Sequence, residues 1–165
     1  MRRIVCDTGP LLHLDEAKCL EVLRQAGEVH MPPAVDTELR SVNIRRRSIN
    51  LEWIYLTPLA PTYQSAAAVW QTAGLLHGGE AEAIELARQL NADWFLTDDA
   101  SARLVAHPCS LEVHGSLGVV LWAAAGHLTR PAAEAALKGL AESSLWISSS
   151  VFAEAKSSLI QIFEP

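Results

Sequence analysis

The sequence has few side chains suited to a metal site built from sulfur or imidazole. Its three cysteines, at positions 6, 19 and 109, form no C-x-x-C pair. This excludes a thiolate zinc site, and the odd count argues against a disulfide framework. Its six histidines show neither H-x-x-x-H nor H-x-x-E-H spacing. The zinc-protease class is therefore excluded as well.

Long apolar runs are also missing. The longest candidate, SLGVVLWAAAGHL, is well short of the roughly 18 residues that a membrane span needs. Asp7 interrupts the N-terminal MRRIVCDTGP, which is not typical of a secretory signal. Half of the 165 residues are hydrophobic and 19% are charged, a composition that excludes disorder. We expect one cytoplasmic domain, residues 1–165, without membrane contact.

Basic residues are scarce, and the net charge is −6. Such a protein is a poor general binder of phosphate backbones, so any contact with nucleic acid must be local. The single dense basic patch consists of Arg40, Arg45, Arg46 and Arg47. We predict that this patch binds RNA. The alternative is a solvated helix end, where cations are favoured by the helix dipole.

Short apolar segments alternate with helical patterns along the chain. Strands are predicted at RIVCD, EVHMP, LEWIYLTPL, ADWFLTDD and LEVHG, the third at a sheet edge because of its proline. One helix is predicted over LLHLDEAKCLEVLRQAG, stopping at Gly27, and a helical stretch is predicted at about 63–72. Other helices are predicted at AVDTELRSVNIRRR, EAEAIELARQLN, ASARLVA, SLGVVLWAAAGHL, RPAAEAALKGLAES and SVFAEAKSSLIQIF. The pattern predicts an α/β three-layer sandwich: a mostly parallel sheet of four or five strands with helices on both faces.

Acidic residues follow two of these strands. Asp7 opens an Asp-Thr-Gly tripeptide after the first strand, and Asp98 and Asp99 follow the fourth. Asp-Thr-Gly is also the active-site tripeptide of aspartic proteases, but the antiparallel lobes of those enzymes disagree with the predicted parallel sheet. In a parallel α/β sheet the carboxyl ends of strands meet at one edge, where ligands bind. Helix capping is the alternative role for each aspartate.

Two glutamates are predicted to approach the same edge from helices. Glu80 shares the apolar face of its helix, whereas Glu82 and Glu85 are predicted on the far side. Glu38 flanks an apolar stripe more closely than Asp36 does. The alternatives are a first-turn dipole role for Glu80 and a solvated boundary position for Glu38.

Clustered carboxylates repel one another unless a cation lies between them. Because the candidate ligands are all oxygens, Mg²⁺ or Mn²⁺ is favoured over zinc. Hydrolysis of a phosphodiester bond is the reaction that such a site suits.

Four segments together resemble the PIN domain, a small metal-dependent ribonuclease fold found in prokaryotic toxins of VapC type. The segments are VCDTGPLLHL, HMPPAVDTELR, GGEAEAIELARQLNADWFLTDDASAR and LEVHGSLGVVLWAAAGHL. The last of these segments, together with Gly79-Glu80 and Thr97-Asp98-Asp99, is most similar to a prokaryotic PIN subgroup other than the best-studied toxins. The resemblance implies that Asp7, Glu38, Glu80 and Asp99 occupy the family's acidic positions, with Asp98 able to replace or assist Asp99. It also implies metal binding by Asp7, Glu80, Asp98 and Asp99.

The resemblance extends to smaller features of the site. Thr8 matches the family's hydroxyl residue, which helps to orient the acid or a water. Two positions depart from the family: Gly9 replaces the usual Ser or Asn, and Glu80 replaces the more frequent Asp.

The resemblance implies a Mg²⁺- or Mn²⁺-dependent endoribonuclease, with toxin activity, a small antitoxin partner and a homodimeric state. Two alternatives stay open. The first is a catalytically weak PIN-fold module that binds nucleic acid or a partner. The second is another phosphoryl-transfer α/β protein, such as a receiver-like domain, although in this chain the acidic doublet follows the fourth strand rather than the first.

Overall fold

A computed structural model describes residues 1–43 and 51–164. The strands are β1 (Arg3–Cys6), β2 (Glu28–Met31), β3 (Tyr55–Leu56), β4 (Trp94–Leu96) and β5 (Val113–His114). The first helices are α1 (Thr8–Glu16), α2 (Val22–Ala26), α3 (Pro33–Asn43), α4 (Pro61–Thr72) and α5 (Gly78–Leu90). They are followed by α6 (Ala100–Ala106), a 3₁₀ turn (His107–Cys109), α7 (Ser116–Ala124), α8 (Arg130–Ala141) and α9 (Ser149–Phe163).

The five strands form one parallel sheet in the order β3-β2-β1-β4-β5. Val5 of β1 pairs with His30 of β2 on one side and with Phe95 of β4 on the other. The short β3 lies at the edge, as its proline-containing segment predicts. Helices cover the sheet in a three-layer arrangement, which confirms the predicted fold class.

The core lies between the sheet and the helix layers. Ile4, Val5 and Phe95 are fully buried at the centre of the sheet, because a parallel strand covered on both faces has no exposed side. A second, smaller cluster packs α7, α8 and α9 together through Leu137 and Leu159. No helix in the described part of the chain is long and apolar enough to cross a membrane.

The prediction of one continuous helix that stops at Gly27 is wrong, because the chain forms two helices, α1 and α2, instead. It turns at Lys18, whose φ of 58° lies in the left-handed region. Gly27 does not act as a left-handed cap either, since its backbone is extended. A Cβ at Gly27 would lie 2.1 Å from the Arg2 carbonyl oxygen, so close approach to the chain at the start of β1 requires glycine there.

Glu85 is predicted on the side of its helix opposite the apolar face, but that side is buried as well. Glu85 is fully buried, and its Oε1 accepts hydrogen bonds from Trp70 Nε1 and Arg88 Nη1 at 3.0 and 2.9 Å. The helical-wheel argument assumed that α5 has one buried face. In the structure α4 covers the opposite face, so the far side of α5 is also interior.

Candidate functional site

The topology brings the acidic residues to the point where the strand order reverses. From β1 the chain proceeds through β2 to β3 on one side of the sheet, then crosses back to β4 on the other side of β1. Ligands of α/β folds bind at such a switch point, here between β1 and β4. An open cleft of about 440 Å³ lies there. Its lining residues are Asp7, Thr8, Gly9, His13, Glu38, His77, Glu80, Asp98, Asp99, Ser144, Leu145 and Trp146. Five carboxylates thus meet at one cleft, and no lysine or arginine is among the described residues that line it.

Asp7 lies deepest in the cleft and is 4% exposed. It directly follows β1, and its backbone N–H donates to the Leu96 carbonyl of β4 at 2.9 Å. Its Oδ1 accepts from the Thr8 backbone N–H at 2.7 Å, and its Oδ2 accepts from Thr97 Oγ1 at 2.9 Å. Burial raises the pKa of Asp7 to about 7, with a further upward contribution from the charges of Glu80 and Glu38. The cleft therefore holds negative charge that nearby cations do not balance.

Glu38 reaches the cleft from α3 and is held by two donors. Its Oε2 accepts from Thr8 Oγ1, and its Oε1 accepts from the Gly79 backbone N–H at 2.9 Å. Gly79 has no room for a side chain, since a Cβ there would lie 2.5 Å from Glu38 Oε2. The glycine at the start of α5 thus allows α3 and α5 to meet through this carboxylate.

Glu80 and Asp99 each line the cleft while also capping a helix. The Oε2 of Glu80 accepts from the His77 backbone N–H at 2.9 Å, and the Oδ1 of Asp99 accepts from the Ala102 backbone N–H at 2.8 Å. Both carboxylates therefore satisfy free N–H groups at helix starts. Capping thus accounts for one carboxylate oxygen of each residue, and both residues also line the cleft.

Asp98 has a different environment from Asp7. Its Oδ2 lies 2.7 Å from His13 Nδ1 and accepts from Ser116 Oγ at 2.5 Å, and its Oδ1 accepts from the Ser116 backbone N–H at 2.7 Å. Burial by itself would raise the pKa of Asp98, but these bonds from His13 and Ser116 outweigh burial and lower it. Asp98 thus joins the chain after β4 to α1 and to the start of α7.

Several cleft residues escaped the sequence analysis. His13 belongs to no metal-binding sequence motif, but it lies one turn after Gly9 on α1, which starts beside Asp7. That spacing is a usable signal, since residues four apart share a helix face. Thr97, fully buried beside Asp7, is the hydroxyl residue that directly precedes the acidic doublet in the sequence.

The predicted basic patch is only partly visible. Arg40 lies on α3, where its Nε donates to Asp36 Oδ2 at 2.8 Å, and its side chain is largely exposed. It does not line the acidic cleft. Arg45, Arg46 and Arg47 lie outside the described residues.

The donor set of the cleft suits a hard divalent cation, since carboxylate and hydroxyl oxygens outnumber the imidazoles of His13 and His77. The raised pKa of Asp7 agrees with this chemistry, because a cation would relieve the repulsion from Glu38 and Glu80. Within residues 1–43 and 51–164, however, no three His, Cys, Asp or Glu side chains are already arranged around a common metal position. The carboxylates are turned toward protein donors, so a cation would compete with these hydrogen bonds.

Comparison with known proteins agrees with this geometry. No match was found among curated proteins. A family model described as a PIN domain matches residues 3–161, from β1 into α9. PIN domains are generally nucleases and typically use divalent metals. The chain therefore belongs to the PIN domain family.

Proposed function

We propose that this protein is a divalent-metal-dependent endoribonuclease that hydrolyses RNA phosphodiester bonds at the acidic cleft. One observation carries the proposal: five carboxylates from distant segments meet at the strand-order switch, with no Lys or Arg among the described lining residues. Family membership supports nuclease chemistry in general. The predominance of carboxylate oxygens among the donors of the cleft favours Mg²⁺ or Mn²⁺ over softer metals.

Asp7, Glu38, Glu80 and Asp99 would hold the cation. When bound, a divalent cation makes water more acidic and offsets charge on the scissile phosphate and the leaving oxygen. Asp7 is the central residue of this group, because it is the most buried of these four carboxylates and is oriented at both oxygens by Thr8 and Thr97. Thr8 orients Glu38 through its hydroxyl, and Asp98 positions His13 at the cleft wall.

A cleavage assay tests the proposal. With a labelled RNA and Mn²⁺ or Mg²⁺, we expect endonucleolytic products that EDTA abolishes. Asp7→Asn should reduce the rate at least about a thousandfold, since removal of a central acidic group removes much of the electrostatic stabilisation. Asp36→Asn is the matched control, because it removes a carboxylate that pairs with Arg40 outside the cleft.

Glu80→Gln tests whether Glu80, which stands where the family more often has Asp, takes part in cleavage. We expect Glu80→Gln to lower the rate while Glu154→Gln, on the exposed side of α9, leaves it unchanged. Equal cleavage by wild type and Asp7→Asn in purified preparations would overturn the nuclease proposal.

One observation favours a second candidate, a PIN-fold module that binds nucleic acid or a partner with little catalysis. The cleft carboxylates already accept hydrogen bonds from the protein, and a ready metal arrangement is missing among the described side chains. This candidate predicts RNA binding without turnover over a range of divalent metals.

We also propose four properties that the resemblance to VapC-type toxins implies. They are a toxin role, a small antitoxin partner, a homodimeric state and a cytoplasmic site of action. Expression of the wild-type chain should arrest bacterial growth, and Asp7→Asn should relieve the arrest. Light scattering of the purified protein tests the dimer. Normal growth with verified expression would remove the toxin role.

A further inference from the structure

Trp146 is 84% exposed, although tryptophan carries one of the largest apolar surfaces of any side chain. It lies in the loop between α8 and α9, at the rim of the acidic cleft. The same side chain also borders a neighbouring groove of about 460 Å³, and the cleft and the groove share Asp98 and Leu145. Trp146 thus stands between two adjoining concave surfaces.

The loop that carries Trp146 is fixed on both sides. The backbone N–H and the hydroxyl of Ser144 bind the Glu16 carboxylate at 2.6 and 3.0 Å, which ties the loop to the end of α1. Leu145 and Ile147 are half-buried and pack against the core. Because both neighbours face inward, the indole between them faces outward, so its exposure is built into the loop.

The adjoining groove offers positive charge that the acidic cleft lacks. Arg103 lines this groove, and its Nη2 donates to the Thr97 carbonyl at 3.1 Å. It forms no ion pair with any residue in the described ranges. His114 lies in the same groove. The groove thus combines an exposed aromatic ring, Trp146, with a cation, Arg103, and these two groups suit the base and the phosphate of a nucleotide.

We propose that Trp146 stacks on an unpaired RNA base while Arg103 binds a neighbouring phosphate, which makes the groove beside the acidic cleft a subsite that positions the RNA strand. This inference rests on the proposed function and assigns residues that position its substrate. Without a bound cation the acidic cleft repels phosphates, so contacts beside it contribute to affinity, and stacking supplies affinity without added charge. In an A-form duplex the bases are stacked on each other and unavailable to an indole.

Fluorescence anisotropy with a labelled single-stranded 12-mer, and with the same sequence as a blunt duplex, tests the inference. All proteins carry Asp7→Asn, so that cleavage does not enter the measurement. We expect Trp146→Ala to weaken single-strand binding about tenfold and Trp146→Phe to retain most of it, since stacking needs an aromatic face. Duplex binding should change less than twofold. Leu104→Ala, which truncates another exposed apolar side chain outside both surfaces, is the control.

Arg103→Gln provides a second measurement. It should weaken single-strand binding and reduce the salt slope by about one unit, because one phosphate contact is lost. Unchanged single-strand affinity in Trp146→Ala would overturn the inference. If Trp146→Ala instead loses self-association while its RNA affinity is unchanged, Trp146 is a protein contact and the inference is also overturned. Because binding is measured without turnover, a selective loss in Trp146→Ala supports the inference even if the wild type cleaves no RNA. Normal cleavage with unchanged binding refutes the inference alone.

Discussion

Two aspartates at the same sheet edge, Asp7 and Asp98, differ in how the surrounding residues shift their pKa. Asp7 is deeply buried, accepts from Thr8 and Thr97, and faces the charges of Glu38 and Glu80, so its pKa is raised to about 7. Asp98 receives donors from His13 and Ser116, and its pKa is lowered. The charge of Asp98 is thus stabilised by protein donors, whereas Asp7 has no Lys or Arg partner among the described residues that line the cleft.

This difference separates structural acids from candidate metal ligands. A carboxylate that is stabilised by protein donors strengthens the fold in its charged form. A carboxylate that is buried among like charges weakens the fold unless something positive binds. Strongly perturbed groups of the second kind are typical of functional sites. Three pairs of variants test whether the two sides behave in this way.

The largest effect is expected from Asp7→Asn in metal-free protein. Because the folded pKa lies above the unfolded value, the native state binds the proton more tightly, and this contribution to stability falls as pH rises from about 4 to 7. At pH 8 the charged Asp7 would cost up to about 4 kcal/mol. We expect Asp7→Asn to raise the free energy of unfolding at pH 8, and to leave it nearly unchanged near pH 4. Urea unfolding in EDTA measures both.

Asp36→Asn is again the control, since it should not alter the pH dependence. A lower stability of Asp7→Asn than of wild type at pH 8 would mean that the buried charge is already balanced. The two sides of the cleft would then not differ as described.

A loss of stability is expected on the other side, from Asp98→Asn. The amide cannot accept all the hydrogen bonds from His13 and Ser116, and we expect a cost of about 3 kcal/mol at pH 7. This contribution has the opposite pH sign, because the lowered pKa makes it present above about pH 4 and lost as pH falls further.

Asp99→Asn is the matched comparison for Asp98→Asn. Asn caps helices about as well as Asp, so the loss should stay below about 1 kcal/mol. Equal losses in the two variants, measured by urea unfolding at pH 7, would remove the structural distinction between the neighbouring aspartates.

The smallest effect concerns the contact between α3 and α5. Gly79→Ala would place a methyl group 2.5 Å from Glu38 Oε2 and force the carboxylate away from the Gly79 N–H. We expect a loss of about 1 kcal/mol and slower RNA cleavage. Gly78→Ala meets nothing nearer than Gln71 Oε1 at 3.9 Å and should be neutral or slightly stabilising. Identical thermal unfolding and activity of the two variants would show that Glu38 adapts freely.

Much of the fold follows from local patterns. Apolar runs that end before helices predict the parallel strands, and the acids after β1 and β4 must share an edge because parallel strands end on the same side. The break at Lys18 was not predicted, since a non-glycine residue in the left-handed region has no clear local signal. The burial of Glu85 was not predicted, because a helical wheel cannot show that a second helix covers the polar face.

The sequence by itself determined most of the strands and helices and which acids lie at the sheet edge, because strand and helix periodicity and chain direction are local properties. Tertiary structure decided the electrostatic state of each acid. Asp98 meets His13 across 85 residues, and Asp7 meets Thr97 across 90. Burial and the number of donors come from such distant contacts, so only the folded chain distinguishes an aspartate stabilised by protein donors from one buried beside like charges.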